Sequence, residues 1–177
     1  MLSLQGYIGA YKVHSFAAVP ARVSLPLRTS DRTSQLHLVF RYHVLRMTSN
    51  VEGIKKTLNS YRDALVASNA EECASLYASD GVTMAQNFFP VVGRDAIKEW
   101  YSNCFANIAL SVSFDIKEAV VVSEEYGFAR TTSAGTQTIN KTGQTSKEAN
   151  QELFVMKKVE DEWKIARYCF CTTNPPK

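Results

Sequence analysis

Leu110-Ser-Val-Ser-Phe-Asp-Ile-Lys117 is the stretch in which the hydrophobic period of the sequence changes. Its apolar residues alternate strictly with polar ones, which is the pattern of a half-buried β-strand. Three later segments, 128–139, 148–158 and 163–172, are also typical of strands. Gly143 closes the turn between the first two of these, where a positive φ is expected. Together these segments predict a meander of four strands.

Upstream of this stretch the apolar residues recur at helical spacing. Ser49 and Glu52 have the spacing of a capping box, and one apolar face follows them: Val51, Ile54, Leu58, Tyr61 and Leu65. Asn69 can cap a second, short helix that carries Cys73, Leu76 and Tyr77 and stops at Asp80-Gly81. A strand over 82–86 and a third helix after Gly93 complete the pattern.

This order of elements predicts an α+β fold. We expect a curved antiparallel sheet, shaped like a cone, that wraps around three N-terminal helices. A single helical layer cannot cover a long bent sheet completely. The sequence therefore predicts a pocket enclosed at the open end of the cone.

Composition excludes several classes of function. No apolar run approaches the roughly 20 residues that cross a bilayer, so no membrane span is expected. Residues 1–46 carry six Lys and Arg against one Asp, a net +5, which leaves −2 for the rest of the formal +3. The slightly negative net charge of residues 47–177 does not indicate the clustered Lys and Arg residues that bind nucleic acid.

The histidines and cysteines limit the chemistry that the folded domain can perform. His14, His37 and His43 all precede Met47, so histidine-dependent nucleophiles and histidine-ligated metals are not expected in the body. The four cysteines are interpreted as buried reduced thiols rather than as a disulfide framework. Cys169 and Cys171 are two apart in a strand and project to one face, where a metal or redox role is the alternative. We predict neither a metal nor an organic cofactor.

Residues 1–46 are patterned differently from residues 47–177. They are basic, nearly free of acid, and interrupted by Pro20 and Pro26. This composition fits a mitochondrial presequence, which implies the matrix. The alternative is a disordered or mis-assigned extension with translation from Met47, which implies the cytoplasm. On either interpretation the predicted domain is 47–177.

Several phrases in the body resemble the nuclear-transport-factor-2-like superfamily, in its SnoaL-like and ketosteroid-isomerase-like branches. They are Tyr-Arg-Asp-Ala-Leu-Val-Ala-Ser-Asn (61–69), Ser-Leu-Tyr-Ala-Ser-Asp-Gly-Val (75–82), Val-Gly-Arg-Asp-Ala-Ile-Lys-Glu-Trp-Tyr (92–101), Asn-Gln-Glu-Leu-Phe-Val-Met (150–156) and Trp-Lys-Ile-Ala-Arg-Tyr (163–168). This fold hosts isomerases, cyclases, dehydratases, scaffolds and transport factors, so the resemblance bears on fold more than on activity.

The resemblance places candidate site residues. The tyrosine that stabilises a dienolate in ketosteroid isomerases falls on Tyr61, and supporting aromatic positions fall on Tyr77 and Tyr101. The second acid of the oxyanion hole falls on Glu152, or on Gln151 with a one-residue shift. The position of the catalytic base falls on Ala85, so steroid isomerisation by that mechanism is not expected.

Three further residues are expected to contact a ligand: Gln86, Asn87 and Trp100. Each candidate also has a plainer interpretation. Tyrosines on an apolar helix face are commonly core, a glutamate in a strand can face solvent, and Gln86 and Asn87 can serve loop hydrogen bonds. Arg130 and Arg167 are expected on the surface.

The function predicted on this basis is binding of a small hydrophobic, oxygenated ligand, with isomerase, cyclase or dehydratase activity as the enzymatic form. The alternative is a non-catalytic dimerisation or binding module with a vestigial pocket. A homodimer is expected, because Val120, Val121 and Val122 offer apolar side chains to both faces of a strand.

Overall fold

The structure is a computed structural model, which describes residues 29–174. It contains three helices and six strands over this range: α1 (Thr29–Val66), α2 (Ala70–Ser75), β1 (Tyr77–Ala85), β2 (Val91–Val92), α3 (Arg94–Asn107), β3 (Ile108–Val121), β4 (Tyr126–Ile139), β5 (Thr145–Val159) and β6 (Glu162–Thr172). The chain divides into two units between His37 and Leu38. Within the described range, no helix has the length and apolar character needed to cross a membrane.

The strands form one curved, unclosed sheet with the order β2-β1-β6-β5-β4-β3. The predicted meander is confirmed, since β3 to β6 pair antiparallel in sequence. The expectation of a wholly antiparallel sheet is wrong at one pair, because β1 runs parallel to β6. A parallel pair needs a long crossover, and α3 with the four intervening strands supplies it.

The predicted start of the first helix is wrong. α1 begins at Thr29, and the Ser49–Glu52 pair lies inside it. Glu52 pairs with Lys55 at 2.9 Å instead of reaching back to a cap. A capping box marks the N-terminus of a helix only where the preceding residues are not helical. Residues 29–48 contain neither Pro nor Gly, so nothing in this segment interrupts the helix. Residues 1–28 lie outside the described range.

The boundary between α2 and β1 also differs from prediction. Asn69 caps α2 as expected, with its Oδ1 accepting from the Glu72 amide at 3.0 Å. The helix then ends at Ser75, and Tyr77 already belongs to β1. Asp80-Gly81 lies in an irregularity of β1 rather than at a helix end. A Cβ at Gly81 would lie 2.9 Å from the Ala78 carbonyl oxygen, so this bend requires glycine.

The core lies between α1 and the inner face of the sheet. The predicted helix face is confirmed at Ile54, Leu58, Tyr61 and Leu65, which are all buried. Their partners on the sheet are Phe154, Met156, Trp163 and Ile165. Each such side chain contributes about 1.5–3 kcal/mol by leaving water.

The curvature of the sheet has a local cause at Gly135. A Cβ at this position would lie 1.9 Å from the Ser111 carbonyl oxygen. Only glycine therefore allows β3 to approach β4 so closely, which bends the sheet toward the helices. The apolar residues of β3 are half-buried because they face the space that this bend leaves.

Candidate functional site

A cavity of about 370 Å³ lies within the second unit, bounded by α1, α3 and the inner face of the sheet. Much of its wall is apolar, including Leu65, Phe105, Ile108, Leu110, Val112 and Phe114. Among the predicted site residues, it brings together Tyr61, Gln86, Trp100, Tyr101 and Glu152. Tyr77 and Asn87 do not line it.

The tyrosines form a buried hydrogen-bonded chain. The Tyr61 and Tyr101 hydroxyls are hydrogen-bonded to each other. The Tyr77 hydroxyl lies 3.3 Å from that of Tyr101, and Tyr77 therefore supports the wall from behind. Tyr61 is 1% exposed yet contributes to the cavity surface. Tyr61 therefore has the burial of a core residue and also lines the cavity.

Burial keeps these phenols protonated. It raises the pKa of Tyr61 and Tyr101 well above the ordinary value, and neighbouring phenols raise it further. Burial also raises the pKa of Tyr77 to about 12, although hydrogen bonds from its neighbours oppose the shift. At neutral pH all three side chains are hydrogen-bond donors as well as acceptors.

Glu152 faces inward from β5 and is 5% exposed. Its Oε1 accepts a hydrogen bond from the Tyr168 hydroxyl at 3.0 Å, and its Oε2 accepts one from the Thr131 hydroxyl. Burial raises the pKa of Glu152, although hydrogen bonds from Thr131, Tyr168 and Ser133 oppose the shift. Gln151 is exposed on the other face of β5 and does not line the cavity.

Tyr168 belongs to this network and was missed as a site residue. It is buried, stacks on Phe154 with ring centroids 4.2 Å apart, and lines the cavity. Its contact with Glu152 depends on the register of β5 and β6, in which Phe154 pairs with Tyr168. Sequence periodicity marks a residue as inward-facing but does not give this cross-strand register.

The end of β1 and the following loop contribute less than predicted. Gln86 lines the cavity and its Oε1 accepts from the Thr172 amide at 2.7 Å. Asn87 is exposed, with φ of 64°, and serves as a turn residue. Ala85 lines the cavity at the position where the resemblance expects a base, and it has no ionisable group.

A row of polar side chains along β4 and β5 was also missed. Glu148 and Asn150 line the cavity on the same face as Glu152. Asn150 Nδ2 donates to Glu148 Oε1 at 2.8 Å and lies 3.4 Å from Ser133 Oγ. Their spacing of two residues was visible in the sequence. The family resemblance singles out only Glu152 in this row.

The remaining predictions concern cysteines, metals and arginines. All four cysteines are free; Cys73 is buried, whereas Cys104, Cys169 and Cys171 are only partly so. In the described part of the chain, no three His, Cys, Asp or Glu side chains are grouped to hold a metal. Arg130 and Arg167 are exposed, as predicted.

The sequence of the domain matches a family model. Residues 58–168, more than half of the chain, match the model described as the SnoaL-like domain. This range contains α2, α3, β1 to β5 and most of the cavity wall. No curated protein sequence matches the chain significantly.

Solved structures share the fold. A ketosteroid isomerase-like protein from Erwinia carotovora atroseptica SCRI1043 is 30% identical, with a TM-score of 0.67, covering 71% of this chain and 97% of that one. A Novosphingobium aromaticivorans protein provisionally named scytalone dehydratase is 22% identical, with a TM-score of 0.63 and coverage of 72% and 86%. A Xanthomonas campestris protein provisionally named a calcium/calmodulin-dependent protein kinase II association domain is 17% identical, with a TM-score of 0.58 and coverage of 70% and 87%.

Proposed function

The chain belongs to the SnoaL-like family, and from this premise we propose that its cavity binds a small, hydrophobic, oxygen-bearing molecule. The observation that carries the proposal is the mixed wall of the cavity. The mostly apolar cavity of about 370 Å³ is also lined by Tyr61 and Glu152, which carry a hydroxyl and a carboxyl group. Ligand sites are commonly apolar clefts with a few converging polar groups.

The chemistry proposed for this site is proton transfer without a cofactor, as in an isomerase, cyclase or dehydratase. Each hydroxyl of the hydrogen-bonded series has one proton to donate; the series runs from Tyr77 through Tyr101 to Tyr61. If Tyr77 donates to Tyr101 and Tyr101 to Tyr61, the Tyr61 proton is available to a ligand oxygen. A donor that faces developing negative charge is worth about 2.7–4 kcal/mol in the transition state. Glu152, whose pKa burial raises, is the second donor in its protonated form.

The second candidate is a non-catalytic binding or dimerisation module. Ala85 favours it, because the position that would hold a base has no ionisable group. The fold shared with the kinase association domain is compatible with this reading, although at 17% identity it shows the fold alone.

We extend the proposal to a homodimer that forms through the outer face of the sheet. The apolar side chains Val120 and Leu153 are 38% and 44% exposed. Phe128 and Val155 lie beside them in the register of β3, β4 and β5. A partner that covered this face would remove all four from water.

The compartment depends on residues 1–46, as proposed from their composition. Import would place the domain in the mitochondrial matrix, and synthesis from Met47 would leave it in the cytoplasm. A fusion of residues 1–46 to a fluorescent reporter distinguishes the two.

The binding proposal is tested by mass spectrometry of an organic extract from the purified protein. We expect a neutral, oxygen-bearing compound with the wild type and not with Ala85→Trp, whose indole would fill the cavity. A melting curve of Ala85→Trp checks that the variant is folded. Equal recovery from both proteins would contradict binding in the cavity.

Exchange of the acidic C–H protons of 2-tetralone in D2O, followed by NMR, distinguishes the proposed enzyme from the proposed binding module. An oxyanion-stabilising site accelerates this exchange, and Tyr61→Phe should slow it about 10²–10³-fold. Tyr126→Phe, at an exposed tyrosine, is the matched control. Binding of the ketone without accelerated exchange would favour the module.

A further inference from the structure

The acidic and basic side chains that line the cavity are unequal in number. It contains two carboxyl groups, Glu148 and Glu152, and none of its described lining residues is lysine, arginine or histidine. The two glutamates are four residues apart on one face of β5, which separates their Cα atoms by about 13 Å. A ligand in the cavity therefore meets acidic groups at two depths and no compensating cation.

The two glutamates differ in their surroundings. Glu152 is enclosed and hydrogen-bonded by Thr131 and Tyr168. Glu148 lies at the rim, where it is only partly buried and lies beyond the last pair of β5 with β6, Asn150 with Thr172. The chain after β6 continues beside it, since Thr173 and Asn174 donate hydrogen bonds to the carbonyl groups of Ala149 and Lys147. Glu148 is partly exposed, and its one described hydrogen bond comes from the Asn150 amide. Glu148 therefore brings a carboxylate to the part of the cavity wall that water reaches.

The cavity that Glu148 borders has several aromatic lining residues. Phe88, Trp100 and Phe170 line the cavity together with Glu148. Apolar surroundings lower the local dielectric constant, so a charge acts more strongly there than in bulk water. Aromatic faces also attract cations. Both effects favour a positively charged ligand group over a negatively charged one.

We infer that Glu148 determines the charge specificity of the cavity, which admits aromatic ligands that are neutral or carry an ammonium group and excludes those that carry a carboxylate. This inference rests on the proposed function, since it presupposes that the cavity binds a small molecule.

Three probes with the same ring system test it: 2-naphthol, 2-(aminomethyl)naphthalene and 2-naphthoate, titrated calorimetrically near neutral pH. The amine should bind tightest. The carboxylate should bind about tenfold or more weakly than the naphthol, a difference of about 1.4 kcal/mol. Added salt should weaken binding of the amine and leave that of the naphthol unchanged, which checks the charge effect in the unmodified protein.

Glu148→Gln keeps the shape of the side chain and removes its charge. In this variant the amine should no longer bind more tightly than the naphthol, and the affinity of the carboxylate should approach that of the naphthol. The Kd of the naphthol itself should change less than about twofold. Glu160→Gln, in the exposed turn between β5 and β6, removes the same charge far from the cavity and should alter none of the three affinities. A thermal melt of each variant checks folding.

The outcomes separate this inference from the proposal beneath it. Carboxylate binding as tight as that of the naphthol in the wild type, or an unchanged order of affinities in folded Glu148→Gln, would overturn the charge specificity and leave the binding function intact. If none of the three probes binds the wild type, the proposed function fails, and the inference fails with it.

Discussion

Tyr61 combines a structural and a chemical position in one side chain. Its ring makes edge contacts with those of Tyr77, Tyr101, Phe154 and Tyr168, at centroid distances between 5.5 and 6.2 Å. Its hydroxyl is paired with that of Tyr101 at the cavity wall. The ring is part of the core, and we propose that the hydroxyl is the group that contacts a ligand.

Removing this hydroxyl should cost stability as well as function. Tyr61→Phe keeps the packed ring but breaks a buried hydrogen bond, so we expect a loss of about 0.5–1.5 kcal/mol in the free energy of unfolding. Urea denaturation measures it, with Tyr126→Phe as the exposed control. A change as small as that of the control would mean that the Tyr61 hydroxyl exchanges freely with water.

Glu152 should make stability depend on pH in a defined direction. Burial raises its pKa above 4.5 in the folded protein, so the folded state keeps a proton that the unfolded chain has already released. Over that range the free energy of unfolding falls as the pH rises. The range begins near pH 4.5, the ordinary value, and ends at the raised pKa.

Glu152→Gln should remove this contribution. The free energy of unfolding of the variant should therefore increase relative to that of the wild type as the pH rises from about 4.5 toward neutrality. Denaturation at several pH values measures it, and Glu160→Gln supplies the control for loss of one carboxyl group. A difference that stays constant, or moves in favour of the wild type, would show that Glu152 does not retain its proton in the folded protein.

At the scale of elements, α1, β3 and the pairing of β5 with β6 show what the sequence can and cannot predict. The alternation in β3 and the helical face of α1 follow from local chemistry, and both were predicted correctly. The start of α1 was wrong because a capping signature does not exclude helix upstream of it. Tyr168 was missed because its contact with Glu152 depends on pairing between two strands, which local periodicity does not encode.

The first part of α1 should contribute little to the stability of the domain. Leu36, Leu38, Phe40 and Leu45 are 66–70% exposed, so they bury little apolar surface. The ion pair between Arg46 and Glu124 is exposed and is worth little. Deletion of residues 1–46 should shift the thermal midpoint by no more than about two degrees, as expected for well under ~1 kcal/mol. A drop of about ten degrees would show that these residues pack on the body.

The same deletion should bring the capping box into use. In the shortened chain Ser49 stands at the helix start, where its hydroxyl can accept an amide hydrogen bond. Ser49→Ala should then cost about 0.5–2 kcal/mol, whereas in the full chain the same change lies within a helix and should be nearly neutral. Denaturation of all four proteins measures this coupling. Equal effects of Ser49→Ala in both backgrounds would contradict it.

At the scale of the molecule, the helices cover only the inner face of the sheet, and the outer face carries a patch of exposed apolar side chains among polar ones. Val121 packs into the core, while Val120 points to the outer face. Leu153 lies on that outer face, since its neighbours Glu152 and Phe154 point inward. A monomer leaves these outer side chains in water, and a second copy related by a two-fold axis would cover them with the same surface.

We therefore expect light scattering to show a dimer at tens of micromolar. Leu153→Glu places a charge at the centre of the proposed interface and should yield a monomer, because a carboxylate resists burial against apolar side chains. Val92→Glu is the matched control: Val92 is 63% exposed on the edge strand β2, away from β3, β4 and β5, and this variant should remain dimeric. A monomeric wild type would refute the dimer. A dimer that survives Leu153→Glu would place the interface on another surface, and the apolar outer face would then need a different explanation.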